Sequence, residues 1–176
     1  MTRIHGFPPV ANTSARILIL GSMPSQASLE ANHYYAHPCN TFWRIVSALL
    51  GIDADASYMV RTRALKSAGV ALWDVLQSCQ RHGSLDSRIQ AETETINDFQ
   101  RFFRIHRRIT RIYFNGAAAE TIFRQQVLPT LDIFSASLTR LPSTSPAHAA
   151  LTIAEKLEAW RVILQPEKKI LIARNF

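Results

Sequence analysis

The stretch RILILG, residues 16–21, is an unbroken apolar run closed by a glycine. A half-buried strand would alternate, and a helix needs more length; a short, continuous, β-rich run suits a strand buried on both faces of a parallel sheet. Outward from it, GVALWDV (69–75) has the same character but ends on a charge, Asp74. RIYFNG (111–116) ends in Asn115 and Gly116, and SASLTRLPS (135–143) alternates before breaking at Pro142. Helical patterns lie between these runs, at 41–50, roughly 57–68, roughly 96–107 and 117–127. A final helix is expected from Pro146 to about Leu164, with Ser145 as its N-cap and Pro146 in the first helical position. Strand alternating with helix means βαβ units. The expected fold class is therefore α/β: a three-layer α/β/α sandwich around a central, mainly parallel four-stranded sheet, as one domain over residues 1–176. The tail PEKKILIARNF is either an added edge strand or a docked end.

Open sheets of this kind bind ligands beyond the carboxyl ends of their strands. Those ends are Gly21-Ser22-Met23-Pro24, Asp74, Asn115-Gly116 and Pro142-Ser143-Thr144-Ser145. The loop after the first run also carries YYAHPCNTFW (34–43), which crowds two tyrosines, a histidine and an asparagine ahead of a helix. Asn40 is a good N-cap for that helix, because its side-chain oxygen can accept from the orphan N–H groups of the first turn. Residues 34–39 have neither helical nor strand period, so regular packing does not account for them.

The 20 Lys and Arg residues outnumber 13 Asp and Glu, giving a formal charge of +7. Sixteen of those 20 are arginine, the side chain suited to planar, bidentate contact with phosphate. A polyanion partner follows as an expectation, nucleic acid before membrane. The sequence has no 18-residue apolar stretch, and MTRIHGFPPVANTS lacks the apolar core of a signal peptide, so a cytoplasmic monomer with no membrane association is expected. Two cysteines, Cys39 and Cys79, without a C-x-x-C pattern, and six scattered histidines argue against a disulfide framework, a zinc site or an iron–sulfur cluster. No metal and no cofactor are expected.

The chemistry open to the rim is narrow. No P-loop and no G-x-G-x-x-G follows the first run, which leaves nucleotide binding without support. A hydrolytic triad could be assembled from Ser22 or Ser143, His37 or His148, and Asp74, but the G-x-S-x-G elbow is missing. What remains is a tyrosine pair, two amides (Asn40, Asn115), one carboxylate (Asp74) and a run of hydroxyls at 143–145. Aromatic stacking with amide and carboxylate edges is how a flipped nucleobase is held. Hydroxyls beside a helix N-terminus suit a DNA phosphate.

At this point three motifs, LGSMPS (20–25), YYAHPCNTFW (34–43) and LPSTSPAHA (141–149), resemble the signatures of the uracil-DNA glycosylase superfamily. The resemblance is nearest to its hypoxanthine (deoxyinosine) branch, which GVALWDVLQSCQRHGSLDSRI (69–89) also resembles. Two positions depart from the superfamily pattern: Met23 stands where a uracil enzyme has a water-activating Asp, and Leu141 where a His or Asn leads the last motif. The resemblance implies a monofunctional DNA glycosylase that hydrolyses the N-glycosidic bond of a deaminated base, hypoxanthine foremost, and leaves an abasic site. It implies Asn40 as the catalytic residue, orienting water toward C1′. Gly21, Ser22, Tyr35, His37, Asp74 and Asn115 would contact the base, with Tyr35 stacking and Asp74 and Asn115 reading its edge. Pro142, Ser143, Thr144, Ser145 and Pro146 would meet the DNA backbone. Alternatives are a mismatch-specific uracil/thymine enzyme, and a non-catalytic nucleic-acid module on the same fold, which Met23 keeps open.

Overall fold

The computed structural model describes residues 3–166 apart from 54 and 133. The four apolar runs form one parallel sheet from β2 (Ile17–Gly21), β3 (Val70–Asp74), β6 (Arg111–Asn115) and β7 (Ser137–Leu141), in the order β3-β2-β6-β7. The register aligns Gly21 with Asp74, and Asn115 with Leu141, so all four carboxyl ends finish at one level. Every residue of β2 and β3 is buried, as their lack of polar alternation requires.

Successive strand residues face opposite sides of a sheet, and the helices divide accordingly. Tyr113 sends its hydroxyl to the carbonyl of Val162, just past α6 (Ile153–Trp160), on the side where Phe42 of α2 (Phe42–Leu50) meets Trp160 edge-on at 5.9 Å. Phe114 and Trp73 face the other way. Trp73 packs on Phe99 and Phe102 of α4 (Phe99–Ile105), and Phe114 on Phe123, where α5 (Ala117–Ile122) continues as a π-helical turn. This is the expected three-layer arrangement. The helix α3 (Tyr58–Ser67) leads back into β3.

Four features differ from the sequence expectation. The final helix starts at Ile153, not Pro146, because Thr152 and Glu155 form a reciprocal capping box: Thr152 Oγ1 accepts from the Glu155 N–H (3.2 Å) and Glu155 Oε2 from the Thr152 N–H (2.8 Å). Ser145-Pro146 starts only a turn, closed by His148 N–H to Ser145 O. The N-cap of α2 is Thr41; Asn40 Oδ1 accepts from the Phe42 N–H (2.9 Å), so it serves the helix start from one residue earlier. A six-residue helix, α1 (Gln26–Ala31), and a small antiparallel sheet of β1 (Arg3–His5), β4 (Leu76–Gln80) and β5 (Thr95–Ile96) were not anticipated. The tail beyond Pro166 lies outside the described residues.

Candidate active site

The corner between the two sheets places the first functional group. After β3 the chain passes through Val75 directly into β4, and the segment after β2 is fastened to that corner by Val75 N–H to Gly21 O (2.9 Å) and Leu76 N–H to Ser22 O (3.0 Å). Asp74, on the last β3 position, is thereby turned inward at 3% exposure. A Cβ on Gly21 would collide with Asp74 Oδ1 and reach within 3.0 Å of the Tyr35 hydroxyl, so only glycine lets these two groups meet there. Burial, helped by the Asp86 carboxylate and opposed by the Arg81 guanidinium, pushes the Asp74 carboxyl up to about 8. Tyr35 adopts φ +57°, a left-handed conformation rare for an aromatic residue, and its ring lies parallel on Phe42 at 4.0 Å. That stacking fixes the ring at the cavity wall.

Asn40 closes the other wall. Its N–H donates to His37 O (2.8 Å) while its Oδ1 holds the Phe42 N–H, which leaves the amide nitrogen and a second oxygen lone pair uncommitted on a residue that lines the cavity. His37 stands outside: its Nδ1 accepts from the Cys39 N–H (3.1 Å) and shapes the turn into Asn40.

Asn115 works as a clamp. Its Oδ1 accepts from the Thr144 N–H and its Nδ2 donates to Thr144 Oγ1, both at 2.8 Å. Thr144 is fully buried, and its carbonyl accepts from the Thr41 N–H (3.1 Å), tying the loop to the start of α2. Trp160 adds a bond to Pro142 O (3.0 Å). Gly116 takes φ +99° and would bring a Cβ to 3.0 Å from Ser143, so the approach of this loop to β6 also depends on a glycine. Thr144 is thus an anchor whose hydroxyl is used internally, and the loop does not sit at the start of α6, which begins nine residues after Thr144.

One small cavity at the carboxyl ends of the strands gathers nine of the twelve nominated residues: Gly21, Ser22, Tyr35, Asn40, Asp74, Asn115, Ser143, Thr144 and Ser145. His37, Pro142 and Pro146 lie outside it. Two contributors were missed, Asp86 and Arg81. Ser22 donates to Asp86 Oδ1 (2.7 Å), and Arg81, buried at the end of β4, donates to the carbonyls of Pro24 and Gly83 with Asp86 at 3.9 Å. Arg81 therefore braces the loop that carries Ser22 and Met23. Met23 is buried and offers no proton chemistry. Among the described residues no cluster of His, Cys, Asp or Glu could hold a metal, and no helix is long and apolar enough to cross a membrane.

A small recess with an aromatic ring, a buried carboxyl and an amide, set at the ends of a parallel sheet, has the kinds of group by which an extruded nucleobase is held. The chain belongs to the uracil DNA glycosylase superfamily, whose family profile matches residues 8–164. It is 36% identical over 137 residues to a hypoxanthine DNA glycosylase of Methanosarcina barkeri, covering 76% of this chain and 85% of that one. A hypoxanthine DNA glycosylase of Methanosarcina acetivorans is 34% identical over 162 residues, covering 92% and 98%. A solution NMR structure of a candidate uracil DNA glycosylase from Methanosarcina acetivorans superposes with a TM-score of 0.73 at 32% identity, covering 93% of this chain and all of that one.

Proposed function

We propose that this protein is a monofunctional DNA glycosylase that extrudes a deaminated base, hypoxanthine foremost, and hydrolyses its N-glycosidic bond. The observation that carries the reading is the convergence of Tyr35 and Asn40 from the loop before α2, Asp74 from the end of β3 and Asn115 from the end of β6 on one recess. The extruded base slides against Tyr35, with Asp74 and Asn115 at its edge. Ser143 and Ser145, on the clamped loop, face the DNA backbone beside the exposed Pro146. Asn40 orients a water toward C1′. An amide is no general base, so most of the barrier must fall through stabilising the oxocarbenium-like sugar and the departing base. None of the residues lining the recess is a lysine, so no Schiff base forms there and the product is an abasic site.

The test is purified protein on duplex oligonucleotides each carrying one hypoxanthine, uracil, xanthine or mismatched thymine, with alkaline cleavage of the abasic product as readout. Release of hypoxanthine ahead of the others is expected. Equal or faster release of uracil or thymine supports the mismatch-type reading. Retention of every base despite tight binding supports a non-catalytic module, the reading that Met23 keeps open.

A further inference from the structure

Asp74 Oδ2 and the Tyr35 hydroxyl are buried without a hydrogen-bond partner among the described residues. No neighbouring donor is hydrogen-bonded to Asp74 Oδ2. Arg81 gives Nε and Nη2 to the carbonyls of Gly83 and Pro24, while its Nη1, itself without a hydrogen-bond partner, lies 3.9 Å from Asp86; Ser22 is spent on Asp86. Asn97 reaches the backbone carbonyl of Asp74 and not its carboxyl (2.8 Å), while Asn115 is held by Thr144. The charged groups facing Asp74 are Asp86, from the turn at 86–88, and Arg81, from the end of β4; Tyr34 and Tyr35 face it uncharged from the loop after α1, their ionisation pushed upward by burial. An ionised carboxylate left without donors in such a place is disfavoured, and the proton stays on the oxygen.

We propose that Asp74 acts as a neutral carboxylic acid, donating its O–H to the carbonyl oxygen of the extruded base and stabilising the charge that gathers there as the glycosidic bond breaks. This rests on the glycosylase reading above. A lactam edge presents N–H beside C=O, and a carboxylic acid presents C=O beside O–H, so the two pair through antiparallel bonds. A carboxylate would accept the N–H but set its second oxygen against the carbonyl. The conflict grows along the reaction. When the C1′–N bond breaks, its electron pair stays with the base and spreads to that oxygen, so a donor there strengthens while an anion would repel. The proton remains on Asp74. Water bonds to C1′ and releases its proton to solvent, and the departing base takes one up from solvent.

The experiment is single-turnover release of hypoxanthine from a deoxyinosine duplex, measured across the pH range for the native protein, D74N and D74A. The native rate should be level at lower pH and fall about tenfold per unit above the Asp74 midpoint, near 8. D74N, whose amide also sets a donor beside an acceptor, should stay within about tenfold of native at neutral pH and lose that alkaline fall. D74A should drop by about 10²–10³. The inference is overturned if D74N keeps the alkaline fall, since the titrating proton then belongs to the base lactam. It is equally overturned if D74N is as slow as D74A while folded, or if the native rate is flat or rising with pH, a result that needs no variant. A native protein that releases no base at any pH overturns the glycosylase reading together with the inference; the other outcomes leave that reading standing.

Discussion

Because Asn40 Oδ1 holds the Phe42 N–H, a substitution there touches both the start of α2 and the proposed chemistry, and the two must be separated. Asn40→Ala should lower stability by about 1 kcal/mol through the lost cap and slow single-turnover excision by about 10²–10⁴. Asn40→Asp keeps the acceptor for Phe42, so it should restore the melting temperature and much of the rate. If both variants excise at the native rate, Asn40 only shapes the helix. Tyr35 serves recognition instead: Tyr35→Ala should weaken binding to a damaged duplex by about 1–3 kcal/mol, read by titration with labelled DNA. At Asp74 the carboxyl is raised from 3.8 in the free group to about 8 in the fold, so between those values the native state keeps a proton that the unfolded chain has lost. Stability from this residue is therefore complete at low pH, declines as pH rises toward 8 and is level beyond it. The melting temperature of native protein relative to D74N should fall between about pH 5 and about pH 8; a constant difference would show that Asp74 is ionised in the fold. Asp74 was visible in the sequence because a charge ended an otherwise apolar run. Arg81 and its brace were not, since a lone arginine carries no sign that its guanidinium will be folded under a loop far away in sequence.

Helix α6 and the loop before it illustrate two local signals in competition. Ser145-Pro146 is a valid start by its own residue preferences, yet Thr152 with Glu155 satisfies two orphan N–H groups reciprocally, and the helix begins there. Thr152→Ala should cost about 1 kcal/mol, or about 2–4 °C in melting temperature, and leave excision at the native rate because the loop at 142–145 is held by Asn115, Thr41 and Trp160. A loss of activity matching the loss of stability would mean that the capping box supports the loop. The parallel sheet was legible because strands buried on both faces need continuous apolar runs, which β2, β3 and the middle of β6 supply, while the edge strand β7 shows as an alternating run. The small antiparallel sheet was not. Its strands β1 and β5 are three and two residues long, too short to display a period of two, and they exist only because β4 gives them a partner. The corner that turns Asp74 inward was hidden with that sheet.

Across the whole molecule, one set of arginines stands apart from the site, whereas Arg61 and Arg140 lie beside it. Arg16, at the entry to β2, and Arg104, Arg107 and Arg108, at the end of α4 and just after it, are exposed, and they lie where β2 and β6 begin. The recess lies at the other end of those strands, about 15 Å away for five residues, beyond the Debye length of about 8 Å at physiological salt. Affinity for duplex DNA should fall steeply with salt, and the double variant Arg104→Ala, Arg107→Ala should leave that slope unchanged in binding titrations. A flat dependence would remove DNA as partner, and a shallower slope in the double variant would put phosphates on the far face. The clamp between Asn115 and Thr144 has one more consequence, and it is mechanical. With the loop bolted to β6, to α2 and to Trp160, it has little room to yield to a duplex seated on it, and the compliance at that contact must come from the nucleic acid. The complex then behaves as a stiff die pressed on a deformable strand, and the positions that enter it fastest are those whose pairing and stacking are already weak.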